Sequence, residues 1–201
     1  MSNEHILVIK PRTGWVPIDL REVWQHRELV MMLAWREILV RYKQSFLGAS
    51  WAIVQPLATM VVFTVLFSLL LGRNNLPTVN GVPYAVSTYC ALLPWQLFAQ
   101  SVARASVSVV NNQSLISKVY FPRMISPLAP VLAALADFAV AFTVLIGMMF
   151  WYGIVPGLGI VFLPAFVMLA IASALGTALL LAAANTVYRD IQHVVPFLVQ
   201  M

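Results

Sequence analysis

Charge is what this chain has least of. Only 9% of its 201 residues are Asp, Glu, Lys or Arg, against 61% that are hydrophobic. A soluble domain carries about 25% charged residues. So few ions cannot cover a water-facing surface, which excludes an ordinary soluble domain. Acids are scarcer still, since only Asp137 and Asp190 follow Glu37. A paired-carboxylate site deep in the apolar part of the chain is therefore excluded. The single cysteine, Cys90, permits neither an internal disulfide nor a CxxC metal pair. His5, His26 and His193 stand too far apart to carry a ligand spacing. There is no GxxxxGK[ST] loop, no GxSxG and no HExxH; Lys10, Lys43 and Lys118 lack the glycines that would cradle a phosphate. No catalytic residue and no metal ligand is assigned, and ATP is not bound in the P-loop manner. No apolar core of a signal peptide is visible near the start.

What is present is apolar sequence in runs of membrane length. The fold class expected is all-α, a polytopic helical membrane protein. Residues 1–18 form an irregular tail broken by Pro11, Gly14 and Pro17. Asp19 can cap the helix that follows. Residues 19–45 read as an amphipathic interface helix, with Leu20, Trp24, Met31, Trp35, Ile38 and Tyr42 on one side. Its aromatics suit headgroup depth, and Arg36, Arg41 and Lys43 suit anionic lipid. The alternative is an amphipathic helix packed on a soluble partner. The remainder, 46–201, is the transmembrane domain. Its first span, 51–72, is about 33 Å long at 1.5 Å per residue, enough for a ~30 Å hydrocarbon core. Further spans are expected over 84–108, 127–152 and 160–184, with a fifth begun at 194–201 and incomplete.

The formal charge is +5, and seven of the twelve Lys/Arg precede the first span. With the N-terminus in the cytoplasm, eleven of the twelve lie inside and only Arg73 outside. That distribution sets orientation by the positive-inside rule and argues against nucleic acid as a partner. The Asn112-Gln113-Ser114 sequon falls on the inner side and is read as chance.

Two features inside the spans stand out. Asp137 is the one charge well within a span, about 15 Å along its helix from Pro127 and so near mid-bilayer. Intramembrane acids are costly and are functional or paired. A proton-carrying or channel-lining role is one reading; a tie to a neighbouring helix, through Ser, Thr, Gln or Arg104, is preferred because proton relays show several such groups. The second span carries Tyr84, Tyr89, Trp95, Phe98 and Gln100, which suggests a polar, aromatic-lined path, since aromatic faces stack on sugar rings. The alternative is interfacial anchoring and helix packing. Pro94 should kink that span. Alanines 133, 134, 136, 139, 170, 172 and 174 allow close helix contact.

Three stretches together resemble a family. They are Trp35-Arg36-Glu37-Ile38-Leu39-Val40-Arg41-Tyr42-Lys43-Gln44-Ser45 with Leu47-Gly48, Trp51 and Gln55-Pro56-Leu57; Leu115-Ile116-Ser117-Lys118-Val119-Tyr120-Phe121-Pro122-Arg123 with Pro127; and Tyr188-Arg189-Asp190-Ile191 with His193 and Pro196-Phe197. In that order they resemble the ABC-2 type permease subunits of ABC transporters that export lipid-linked polysaccharides such as O-antigen, capsule and teichoic acid precursors. Leu92-Leu93-Pro94-Trp95 also fits, with Ala91 where the family often has glycine. The resemblance covers residue 20 to the end. It implies a homodimeric permease in a bacterial inner membrane, working with two separate ATPase subunits that hold the ATP and magnesium. It also implies that the connector with Leu115, Lys118, Tyr120, Phe121, Pro122 and Arg123 couples to the ATPase, with Tyr120 and Phe121 anchoring in its groove. Arg189 and Asp190 belong to a cytoplasmic motif. Family members continue past residue 201 to a sixth span, so a fragment or truncated reading frame is expected. Two competing readings remain, a proton-coupled carrier centred on Asp137 and a membrane-embedded glycan or lipid transferase.

Overall fold

The structure, a computed structural model, describes residues 20–43, 48–72, 78, 81–118 and 121–200. The tail, the Asp19 cap, Arg73 and Tyr120 lie outside the described residues. Among the described residues the chain is all-α. Its helices are α1 (Leu20–Gln25), α2 (Arg27–Lys43), α3 (Trp51–Leu71), α4 (Tyr84–Asn111), α5 (Gln113–Ile116), α6 (Ile125–Trp151), α7 (Leu163–Val187) and α8 (Ile191–Gln200). Short 3-10 turns precede α3 and α7. The spans therefore begin and end within a few residues of the sequence expectation. The expected single interface helix is instead broken at His26, whose ring Nδ1 competes for the Glu22 carbonyl at 2.9 Å. Helix α4 runs unbroken through Pro94.

Three helical stretches are long and apolar enough to cross a membrane: Trp51–Leu71, Ile125–Trp151 and Leu158–Val187. Four complete spans were expected from the sequence. The fourth, α4, has 28 residues and so about 42 Å of length, but it is too polar to stand among the three. Its position explains this. It is the central helix, in contact with α3, α6, α7 and α8, so its serines 101, 106 and 108 are buried in protein rather than facing lipid. It still crosses. Phe67, late in α3, meets Tyr84 at the start of α4 at 5.7 Å, while Asn112, just past α4, bonds Ser126 at the start of α6.

The core lies between α4 and α6, where Val86, Tyr89 and Leu93 pack on Ala141 and Leu145 with Leu57 and Met60 of α3 alongside. On the other flank Ala174, Ala178 and Ala182 are buried along α7 at every fourth position. Small side chains there let the backbones of α4 and α7 approach closely, which is how helices associate in lipid. Ala133 and Ala134 serve α6 in the same way, whereas Ala139 and Ala172 face outward. At its far end α6 closes in a glycine turn. Gly153 has φ +64, Gly153 N–H donates to Phe150 and Ile154 N–H to Met149. Only glycine takes that left-handed position without strain.

The polar ends of the bundle are unequal. The starts of α3 and α6, the ends of α4 and α7, and α2 all lie at one end. That end holds nine Lys/Arg among the described residues, and the opposite end holds none of them.

Candidate functional site

Helix α2 lies along the first half of α6. Val30, Leu33 and Ala34 pack against Ile125 and Ala129, a stripe at spacings of three and four that continues to Arg41. Of the expected apolar stripe, Trp24, Met31 and Trp35 face outward, 70%, 68% and 60% exposed, while Ile38 and Tyr42 are half-buried. Two apolar faces therefore exist on α2, one against α6 and one available to lipid or a partner. Arg36 reaches across to Asn112 at 2.5 Å, and Lys43 is exposed.

Asp137 is held by this helix. Arg41 Nη1 forms an ion pair with its carboxylate, and the Tyr42 hydroxyl donates to the other oxygen at 2.5 Å. The tie to a neighbouring helix is thus present, but through Arg41 and Tyr42 rather than Arg104. Asp137 shares a cavity with Trp51, Ala52 and Gln55 of the first turns of α3, and with Arg104, about 30 Å along α4 from its start at Tyr84. Asp137, near the middle of α6 (Ile125–Trp151), therefore stands beside the first turns of α3 and the later part of α4.

That cavity is about 220 Å³ and is lined by Arg41, Tyr42, Gln55, Gln100, Arg104 and Asp137 among others. It shares Gln55, Gln100 and Arg104 with a cleft of about 480 Å³ that continues past Gln96, Trp95, Thr59 and Phe63 to Pro196 of α8. Trp95 stands 6.0 Å from Phe98. Amides, a hydroxyl and aromatic faces thus line one continuous groove along helices of membrane length. Tyr89 is not part of it. Its ring is fully buried and its hydroxyl donates to the Ala141 carbonyl at 3.1 Å, so it ties α4 to α6. Tyr84 packs on Phe67 at the far end.

The connector between α4 and α6 is anchored from within. Phe121 is buried with Val30, Leu33, Ala34, Ile125 and Ala129, and Leu115 packs on the same cluster. Its ring fills a groove of this chain, not one of a partner, because α2 offers it an apolar face. Lys118 and Arg123 point outward, with Pro122 half-buried between. Arg189 and Asp190 are exposed in the turn from α7 to α8 at the same end.

Asn112, read as a chance sequon, is the hub of this end. Buried itself, it donates through Nδ2 to the Ser108 carbonyl at 2.9 Å and to Ser126 Oγ at 3.0 Å, and its Oδ1 accepts from Arg36. Ser126 donates in turn to the Ser108 carbonyl. One side chain thus fastens α2, α4 and α6. Truncation by Asn112→Ala strands buried partners and is expected to cost about 1–3 kcal/mol, read as a lower melting temperature of the purified protein. An unchanged melting temperature would mean that the clamp contributes nothing. The Asn112-Gln113-Ser114 sequon was the only signal the sequence offered at this residue.

Residues 28–201 match the family described as ABC-2 type transporter. The chain is 32% identical over 176 residues to the O-antigen export system permease protein RfbA of Myxococcus xanthus, an alignment covering 88% of this chain and 65% of that protein. To the O-antigen export system permease protein RfbA of Klebsiella pneumoniae it is 28% identical over 169 residues, or 84% and 63% of the two. A shorter match, 30% over 90 residues, covers 45% of this chain and 32% of the capsule polysaccharide export inner-membrane protein CtrC of Neisseria meningitidis serogroup B. The chain spans just under two thirds of the length of the RfbA relatives.

Proposed function

Because the chain belongs to the ABC-2 type transporter family, we propose that it is the transmembrane permease part of an ABC exporter for a lipid-linked surface polysaccharide. It acts in a bacterial inner membrane, as one of two permease copies, with two ATPase subunits holding ATP and magnesium. The observation that carries this reading is the groove past Trp95, Gln96 and Gln100. Such a lining suits a polar solute moving along an otherwise apolar bundle, and aromatic faces with amide donors suit sugar rings. The concentration of basic residues at one end supports placing that end, with the N-terminus, in the cytoplasm. There the outward Lys118 and Arg123 are placed to meet the ATPase, as are Arg189 and Asp190.

Asp137 is committed to Arg41 and Tyr42, which favours a structural tie over a proton carrier. A transferase would need clustered acids, and Asp137 and Asp190 are the only acids after Glu37.

The test uses the full-length gene expressed with its neighbouring ATPase. The ATPase is expected to co-purify with a tagged permease and to be lost when Lys118 and Arg123 are both changed to glutamate. Trp95→Ala combined with Gln96→Leu should keep the ATPase bound yet lower surface glycan several-fold. If deleting the gene leaves surface glycan unchanged, or no ATPase is retained in mild detergent, the reading fails.

A further inference from the structure

One stripe of α7 runs through Leu163, Val167, Ala170, Ala174, Ala178 and Ala182, at helical spacings of three and four. Its last three alanines are buried and let α7 lie close to α4. Leu163 and Val167 are bulkier and only half-buried, so the two helices stand apart toward the uncharged end of the bundle. The gap is a pocket of about 260 Å³. Cys90, Leu93, Pro94 and Leu97 of α4 form one wall. The stacked rings of Phe138 and Phe142, 5.8 Å apart, form another. Gly159 and Ile160 of the 3-10 turn before α7 border it. None of its lining residues is charged, and the Cys90 thiol is the one polar side chain among them. The cleft past Trp95 lies on the other face of α4, where Leu92, Trp95, Gln96 and Ala99 follow their own helical spacing.

We propose that this pocket seats an acyl chain of a bilayer lipid. Its rim residues Ile160 and Phe166 are 51% and 69% exposed, and both belong to the apolar stretch Leu158–Val187. The medium at the rim is therefore lipid. A space left empty there forfeits the dispersion contacts that a flexible hydrocarbon chain supplies. The nearby helix of this chain is placed elsewhere: α8 packs on Phe98 and Val102 and turns Pro196 and Val199 to the cleft. Such a lipid is resident rather than cargo, so its seat is independent of the export reading. The position matters for α4. Pro94 has no N–H to give the Cys90 carbonyl, which makes this the weakest point of the helix. Trp95, the next residue, lines the cleft. A seated chain braces the central helix directly behind that cleft.

The test uses the full-length permease with its ATPase in nanodiscs of phosphatidylcholine. The probe is a small fraction of phosphatidylcholine whose acyl chain ends in a photoactivated diazirine. Adducts are mapped by peptide mass spectrometry after irradiation. Leu93 and Leu97 are each only 3% exposed, so adducts on them require a chain inside the pocket. Ala170→Leu should cut those adducts about tenfold, because the new side chain takes the place of about two methylenes. Gly159→Leu should do the same from the other side, and nothing lies within 4 Å of where its Cβ would stand. Ala172→Leu, on the outward face of α7, should label as the parent does. Melting temperatures at or above the parent's show that the filled variants fold. Undiminished adducts on Leu93 and Leu97 in a folded filled variant overturn the site, and so does a parent without such adducts. In the latter case, a Cys90–Cys90 disulfide between two copies on mild oxidation would assign the face to a second copy. No such disulfide would assign it to a later segment of the full-length chain.

Discussion

Replacing Asp137 by alanine is expected to destabilise the protein by about 3–5 kcal/mol, the usual cost of stripping a buried ion pair of one partner. The loss would be read as a fall in melting temperature in detergent. Asp137 and Arg41 keep only 11% and 13% of their side-chain surface exposed, so the stranded guanidinium is screened little by solvent. Tyr42 would also lose its acceptor. Asp137→Asn should cost less, because its amide oxygen can still accept from one of the two donors. The decisive comparison is the double variant Arg41→Leu with Asp137→Leu. Removing both charges together is expected to restore most of the stability, since a well-packed apolar pair can replace a buried ion pair. If the double variant melts as low as Asp137→Ala, the loss comes from packing around residue 137 and the ion pair is not its source.

Phe121→Ala should be comparably severe, at about 3–5 kcal/mol for a buried aromatic cut to a methyl group. The ring sits among Val30, Leu33 and Ala34 of α2 and Ile125 and Ala129 of α6, so the cavity it leaves loosens two helices at once. The effect on ATPase retention would be indirect. Phe121→Leu, which keeps most of the apolar volume, should retain the ATPase if the ring only shapes the connector. If Phe121→Ala melts as the parent does while the ATPase is lost, the ring acts at the partner's surface and the buried placement is wrong.

The bundle was legible because its signal is local. Apolar runs without charge can be read in one pass, and they placed α3, α6 and α7 within a few residues. Helix α4 was found but not its setting, because polarity that looks like a pore wall also arises where serines face neighbouring helices. Tyr89 shows the ambiguity: its sequence position suited a path, and its hydroxyl instead reaches the α6 backbone. The site was the harder part. Arg41 and Asp137 are 96 residues apart, and no periodicity within α2 or α6 says that they meet. The second, buried face of α2 was missed for a related reason. Trp24, Met31 and Trp35 made the more conspicuous stripe, yet the smaller Val30, Leu33 and Ala34 are buried, because short side chains let α2 lie close to α6. Asn112 offered only a sequon, and its role depends on three helices converging.

The one-sided placement of charge has an electrical consequence. Moving one elementary charge fully across a membrane potential changes the energy by about 2.3 kcal/mol per 100 mV. Among the described residues, Arg41, Arg104 and Asp137 line one cavity, and the remaining ionised groups lie at one end of the bundle. The Arg41–Asp137 pair is neutral, so apart from Arg104 shifts of these helices would carry little charge through the voltage drop.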